Sequence, residues 1–144
     1  MLKAIPSMEV TDGEVHDSPQ LARLLDSLPL DDIEVVAADA GYLSRRNCDL
    51  IEAKGAKPYI KIKKNIQVIR AFGSRAWVNM ILEWRANPEA WNKKYNMRSS
   101  AESAFSAIKR RFGHRLASIR KDLQRKELMT KVLAYNINIL AKIN

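Results

Sequence analysis

The sequence predicts a mixed α/β fold with a helical C-terminal part, and two patterns carry that prediction. In the first half of the chain, short apolar runs bounded by turn residues alternate with segments of helical periodicity, as in folds that alternate strands and helices. Beyond about residue 65 the apolar residues recur every three or four positions, which indicates amphipathic helices. We therefore expect a mixed sheet flanked by helices, followed by a helical segment.

The first half contains three candidate strands separated by two candidate helices. The strands are expected at residues 8–11, 33–38 and 58–63. The run over 33–38 is almost continuously apolar, which favours a strand covered on both faces, whereas 58–63 alternates and favours a half-exposed strand. Asp17 and Ser44 are candidate N-caps of the two helices, because short oxygen-bearing side chains accept hydrogen bonds from a helix's first N–H groups.

Three amphipathic helices are expected in the second half. The first follows from apolar residues at i, i+4 and i+7, namely Trp77, Ile81 and Trp84. It is expected to stop at Asn87, because proline follows. The second is expected over 97–112 and the third from about residue 122 almost to Asn144. The last helix has an apolar stripe made of Leu128, Val132, Tyr135 and Ile139.

Length and composition limit the class of protein. A chain of 144 residues with 47% hydrophobic and 28% charged residues suits one globular domain spanning 1–144. It has no apolar run of about 18 residues, so a membrane span is not expected. Cys48 is the sole cysteine, which excludes an intramolecular disulfide and favours a reducing, cytoplasmic setting.

The charge is divided unevenly along the chain. Residues 1–52 contain 4 Lys/Arg and 11 Asp/Glu, a net charge of −7, and residues 53–144 contain 21 and 5, a net charge of +16. Acidic side chains suit divalent cations and a basic surface suits phosphates. The composition therefore indicates a polyanionic partner, although solvated surface charge alone explains many basic proteins.

One candidate helix carries the most specific pattern. If its helical path extends back to Tyr95, a wheel of about 100° per residue places Tyr95, Arg98, Glu102 and Lys109 on one stripe about 60° wide. The expected core face beside it consists of Ala101, Phe105 and Ile108. A carboxylate flanked by cations suits a metal ion that meets a phosphate. The alternative is an ordinary i, i+4 surface ion pair between Arg98 and Glu102.

The spacing Y-x2-R-x3-E-x6-K of those four residues resembles the signature around the last acidic residue of many insertion-sequence transposases of the DDE type. Asp39, at the end of an apolar strand, is similar to that family's second catalytic aspartate. The segments 10–18 and 60–65 resemble the family's flanking segments. The similarity extends over about residues 8–140 of the chain.

The resemblance implies an RNase H-like fold and three carboxylates around two Mg²⁺ or Mn²⁺ ions, one activating the nucleophile and one stabilising the leaving oxygen. It makes Asp39 and Glu102 the catalytic metal ligands. It also implies that Tyr95, Arg98 and Lys109 contact DNA near the reacting phosphate. The basic cluster after Glu102 is the best further DNA-binding candidate, and it includes Lys109, Arg110, Arg111, His114, Arg115, Arg120 and Lys121.

The family's first aspartate has no counterpart in the sequence, because the segment that follows it in the family begins about ten residues from Met1. We therefore expect part of an RNase H-like domain, N-terminally truncated and inactive alone, acting on transposon ends and target DNA. Loss of central strands would leave sheet edges uncovered, so we hypothesise a homodimer. The alternatives are a non-catalytic DNA-binding or oligomerisation remnant, or an RNase H-like nuclease unrelated to transposition.

Overall fold

The computed structural model describes residues 5, 8, 10, 18–28, 33–63, 66 and 73–142. Residues 9 and 11 of the predicted first strand, and the candidate cap Asp17, lie outside these residues. The chain divides into two compact units, one made of Thr11–Arg98 and the other of Met1–Val10 with Ser99–Asn144. The fold is mixed α/β, as predicted, and is consistent with part of an RNase H-like fold. That the whole chain forms a single domain stays a prediction.

The unit Thr11–Arg98 is built around a small parallel sheet. Its elements in order are helix α1 (Gln20–Asp26), strand β1 (Val35–Ala38), a 3₁₀ turn (Ala40–Tyr42), α2 (Arg45–Ala53), β2 (Lys57–Ile60), α3 (Arg75–Ala86), α4 (Pro88–Tyr95) and a second 3₁₀ turn (Asn96–Arg98). The two strands pair in parallel, with Val35 opposite Lys57 and Ala38 opposite Ile60. Helix α2 joins them, as a parallel pair requires a crossover connection.

The burial of the two strands reverses the sequence-based expectation. Strand β1, expected to be covered on both faces, is half-buried throughout. In β2, expected to be half-exposed, Pro58, Tyr59 and Ile60 are all buried. The reason is that α2, α3 and α4 all contact β2. These helices cover the face of β2 that its alternating sequence predicts to be exposed to solvent.

Helix termini in this unit follow the local chemistry. The Ser44 hydroxyl accepts from the N–H of Asn47 at 3.1 Å and caps α2, as predicted. Helix α3 begins at Ser74, whose hydroxyl accepts from the N–H of Trp77 at 3.1 Å. Helix α4 was not predicted, although Asn87 caps it through the N–H of Ala90 at 3.0 Å and proline is its first residue.

The other unit contains two helices, α5 (Ser99–Phe112) and α6 (Lys121–Leu140). Its buried core consists of Ala104, Ile108, Val132 and Tyr135. The predicted stripe on α6 is confirmed, because Val132 and Tyr135 are buried and Leu128 and Ile139 are half-buried. The predicted core face of α5 is wrong in part. Ala101 and Phe105 are exposed because α5 turns Ala104 and Ile108 inward instead.

Side chains of α6 form hydrogen bonds with backbone groups of Ile5 and of two residues that precede the helix. The Asn136 side chain donates to the Ile5 carbonyl at 2.7 Å and accepts from the Ile5 N–H at 2.8 Å. The Glu127 carboxylate accepts from the N–H groups of Ala117 and Ser118 at 3.0 and 2.9 Å. The backbone groups of two segments outside the helices therefore find their partners on α6.

None of the helices in the described part of the chain is long and apolar enough to cross a membrane. Even α6, with 20 residues, carries charged side chains along its first half.

Candidate active site

Asp39 lies at the carboxyl end of β1, where the strand gives way to the first 3₁₀ turn. Its backbone is extended (φ −75°, ψ 167°), and its Oδ1 accepts from the N–H of Ala40 at 2.6 Å. The side chain is still 59% exposed. One carboxylate oxygen is therefore held in place by the backbone while the group stays open to a ligand.

Arg98 brings a positive charge to this carboxylate. It ends the second 3₁₀ turn, and its Nη1 lies 3.6 Å from Oδ2 of Asp39. The guanidinium also lies over the ring of Tyr95, with Cζ 5.4 Å from the ring centroid. A cation held between a carboxylate and an aromatic face has fewer accessible orientations than a solvated one, which suits the recognition of an anion.

Tyr95 is buried beneath Arg98 and belongs to the core of its unit. Its ring stacks on Trp91, with centroids 5.4 Å apart and planes 13° from parallel. Within the described residues, neither the Tyr95 hydroxyl nor the Trp91 Nε1 has a hydrogen-bond partner. Tyr95 therefore supports Arg98 through its ring, and its hydroxyl makes no polar contact with the described residues.

The aromatic stack continues into a short polar network. Trp91 lies 5.7 Å from the ring of Tyr59, whose hydroxyl donates to Glu83 Oε1 at 2.5 Å and accepts from Lys94 Nζ at 3.0 Å. Burial, and then the hydrogen bond to Glu83, raise the pKa of Tyr59. This network joins β2 to α3 and α4, and it fixes the helix that leads to Arg98.

Tyr95 and Glu102 do not lie on one continuous α-helix. Helix α4 ends at Tyr95, a 3₁₀ turn follows, and α5 begins at Ser99. A wheel of constant 100° steps therefore does not describe the path from Tyr95 to Lys109. The physical reason is that Tyr95 packs on Trp91 in one unit, whereas Ser99 begins the helix of the other.

Glu102 and the basic candidates belong to the second unit. Glu102 lies in the first turn of α5 and is exposed. Lys109, Arg110 and Arg111 form the last turn of that helix, and all three are exposed. Arg115 follows the helix and is also exposed, and its carbonyl accepts from Lys131 Nζ at 3.0 Å. Of the predicted site residues, Asp39, Tyr95 and Arg98 thus share one unit and the others share the second.

A lysine follows β2 at the same edge of the sheet as Asp39. The N–H of Lys61 donates to the carbonyl of Ala38, the last residue of β1, at 3.2 Å, which continues the parallel pairing one residue past β2. Lys61 therefore follows β2 where Asp39 follows β1, at the carboxyl edge of the sheet, and it is exposed. The strand register, which the sequence does not give, was the missing signal.

The donor chemistry of this site fits a divalent cation of the Mg²⁺ type. Carboxylate oxygens are the ligands that such hard cations prefer, and an ionised carboxylate accepts at about four lone-pair positions. Asp39 uses few of these, so it retains capacity for a metal. Within the described residues no group of three or more His, Cys, Asp and Glu side chains is placed to hold a metal ion.

Cys48 is a packing residue and not a nucleophile. It is fully buried in α2. Burial, with smaller contributions from the nearby charges of Asp49 and Glu52, raises the pKa of its thiol to about 12. A thiol must ionise to react, so Cys48 contributes packing to the core.

One protein family, described as the transposase DDE domain, has a model that matches residues 3–137 of the chain. The match spans most of the 144 residues and includes all eight candidate site residues. No curated protein and no solved structure shows significant similarity to the chain. The family match thus covers both units.

Proposed function

Because the chain belongs to the transposase DDE domain family, we propose that it supplies part of the catalytic site for metal-dependent DNA strand cleavage and transfer. The family predicted from the sequence is confirmed at this level. The subtype with the Tyr-Arg-Glu-Lys signature, which is typical of insertion sequences, remains part of the proposal. The observation that best supports a catalytic role is the open carboxylate of Asp39 at a strand end, 3.6 Å from Arg98.

In this proposal Asp39 and Glu102 are the metal ligands. Two divalent cations, Mg²⁺ or Mn²⁺, would supply activation of the nucleophile and stabilisation of the leaving oxygen. The hydrogen bond from Ala40 to Asp39 fixes the carboxylate orientation before any ligand arrives. Such preorganisation lowers the reorganisation that binding requires. Family resemblance alone supports the role of Glu102.

Arg98 is proposed to contact a phosphate oxygen of the DNA strand. Its guanidinium already lies beside Asp39 and on the ring of Tyr95, so it can bind an anion without a large loss of side-chain entropy. The burial of Tyr95 supports an indirect role for that residue, as a platform for Arg98. Lys109, Arg110, Arg111 and Arg115 are proposed to bind DNA through their exposed charges.

This chain alone is expected to cleave DNA poorly. We assign two carboxylates to the site where the family uses three, and fewer anionic ligands hold a divalent cation more weakly. The test is a nicking assay with Mg²⁺ and a supercoiled plasmid, comparing wild type with Glu102→Gln. Negligible nicking by both agrees with the proposal. Strong Mg²⁺-dependent nicking that survives Glu102→Gln contradicts both the site assignment and the expected inactivity.

A second candidate function is non-catalytic DNA binding. Residues 99–142 contain ten Lys/Arg and three Asp/Glu, a net charge of +7, which favours binding to a polyanion without any metal. The two functions differ in their dependence on divalent cations. Duplex binding that tightens with Mg²⁺ in wild type, but not in Asp39→Asn, supports the metal site. Binding indifferent to Mg²⁺ in both supports the non-catalytic function.

The homodimer also stays a proposal. Within the described residues the sheet has two strands, so each leaves one edge without a strand partner, and such edges favour pairing with another chain. Sedimentation equilibrium on the whole chain tests it. A dimer mass is expected, and a monomer across the accessible concentration range contradicts the proposal.

A further inference from the structure

A basic recess lies between α5 and α6, entirely within the second unit. It has a volume of about 330 Å³, at the lower end of the range for ligand-binding cavities. Its polar lining comes from the end of each helix: Arg110 and Arg111 from α5, and Asn138 with Lys142 from α6 and the residues just beyond it. Buried Tyr135 forms part of the apolar wall. Cations from two separate helices thus face one cavity.

Two carboxylates of the second unit are paired with groups outside the recess. Asp122 pairs with Arg120 at 2.9 Å, and Glu127 pairs with Lys131 at 3.0 Å and with two backbone N–H groups. Glu102 lies in the first turn of α5, at the opposite end from the recess. Within residues 73–142, no carboxylate is paired with the three cations of the recess.

Helix electrostatics explain only part of this arrangement. Cations near a helix C-terminus interact favourably with its dipole, which accounts for Arg110 and Arg111 in the last turn of α5. Lys142 lies just past the C-terminus of α6 and is favoured there in the same way. Neither dipole removes the repulsion among three cations that line one recess. A bound anion would convert that repulsion into attraction.

We infer that this recess binds a phosphate group. That the phosphate belongs to DNA rests on the proposed function. Arginine guanidinium groups present paired N–H donors that match two phosphate oxygens. The Asn138 amide uses one N–H for the carbonyl of Ala134 at 2.8 Å, which leaves its second N–H to donate. Lys142 adds a further positive charge to the lining. The inference adds Asn138 of α6 and Lys142 just beyond it to the phosphate-binding residues, beside Arg110 and Arg111.

The phosphate belongs either to the DNA backbone or to a free phosphate, and two measurements distinguish these sources. The first is the salt dependence of duplex binding, for wild type, Lys142→Gln and the matched control Lys126→Gln. Lys126 is an exposed lysine of α6 that does not line the recess. Each phosphate contact contributes about 0.9 to the slope of log K against log salt. We expect Lys142→Gln to reduce the slope by about that amount and Lys126→Gln to leave it unchanged.

The second measurement is a titration with inorganic phosphate, followed by NMR at the side-chain amide of Asn138. A saturable shift is expected in wild type and in Lys126→Gln at the same phosphate concentration, and in Lys142→Gln only at a higher concentration. If phosphate binds but the DNA slopes of the two variants agree, the site takes a free phosphate. Absence of saturable phosphate binding, together with equal slopes, overturns the inference.

The two proposals fail separately. Wild-type chain that binds phosphate but no DNA contradicts the proposed function and supports the recess. If the wild-type chain binds DNA but not phosphate, and Lys142→Gln leaves the salt slope unchanged, only the inference about the recess is contradicted. Thermal unfolding of each variant confirms that the fold is retained, because both lysines are exposed and neither substitution removes a buried group.

Discussion

The guanidinium of Arg98 lies 3.6 Å from the carboxylate of Asp39, joining the end of a helical segment to the end of the first strand. The pair is partly solvated, since the Asp39 side chain is 59% exposed, so it contributes less than about 1 kcal/mol to stability. Its value is therefore expected to lie in function. The same carboxylate is proposed to bind a cation, and the same guanidinium is proposed to bind a phosphate.

Replacing Arg98 is expected to weaken DNA binding and not metal binding. Arg98→Gln removes one proposed phosphate contact, so the slope of log K against log salt should fall by about 0.9. Mn²⁺ affinity should stay equal or rise, because a competing positive charge is lost from Asp39. Arg98→Lys is the control, which keeps the charge but loses the paired donors. A slope unchanged in Arg98→Gln contradicts the phosphate contact.

Tyr95→Phe is expected to preserve or raise stability. The Tyr95 hydroxyl is buried without a partner among the described residues, and an unsatisfied buried polar group costs about 1–3 kcal/mol. Tyr95→Ala should instead destabilise by about 3 kcal/mol, because it removes the ring that stacks on Trp91. Urea unfolding measures both. A loss of DNA affinity in Tyr95→Phe would instead show that the hydroxyl contacts DNA directly.

Cys48 is expected to be unreactive in the folded chain. Burial raises the pKa of its thiol to about 12, so the thiolate fraction stays very small up to pH 9. A disulfide reagent should modify the native protein slowly at every pH in that range and modify the unfolded protein rapidly. Rapid modification of Cys48 in the folded chain at pH 8 would contradict the burial of this thiol in the core.

The loop before α6 is expected to loosen in acid. The N–H groups of Ala117 and Ser118, with Lys131, lower the pKa of Glu127 from 4.5 to about 2. A lowered carboxylate pKa stabilises the folded state above the unfolded value, and that stabilisation is lost as pH falls from about 4.5 towards 2. Hydrogen exchange at the two amides should therefore accelerate across this window. In Glu127→Gln these two amides should exchange faster already at neutral pH. Equal exchange rates in wild type and Glu127→Gln would contradict the proposed role of the Glu127 carboxylate.

Local chemistry made several boundaries predictable from sequence. Ser44 caps α2, as its hydroxyl predicts. Gly55 and Gly113 adopt positive φ values of 80° and 84° after their helices, a conformation that glycine reaches without steric cost. Asp39 was placed at a strand end because the apolar run stops there, and the structure agrees. These signals are all carried by residues within one or two turns of the boundary.

Tertiary context decided the features that sequence missed. Asn87 and Pro88 were interpreted as a stop, but the same two residues also start α4, since asparagine caps and proline fits a first turn. The burial of β2 depends on three helices that cover it. The proximity of Lys61 to Asp39 depends on strand register. Register and coverage arise from pairing between distant segments, so a single sequence does not specify them.

The most direct test of the proposed site is a Mn²⁺ titration followed by paramagnetic broadening of backbone amides. Wild type is compared with Asp39→Asn, with Glu102→Gln and with Asp122→Asn, an exposed carboxylate outside the proposed site. The proposed site predicts saturable broadening at the amides of Ala40 and Ser103, lost in the first two variants and retained in the third. Broadening that is absent from wild type, or indifferent to both substitutions, would contradict a shared metal site at Asp39 and Glu102.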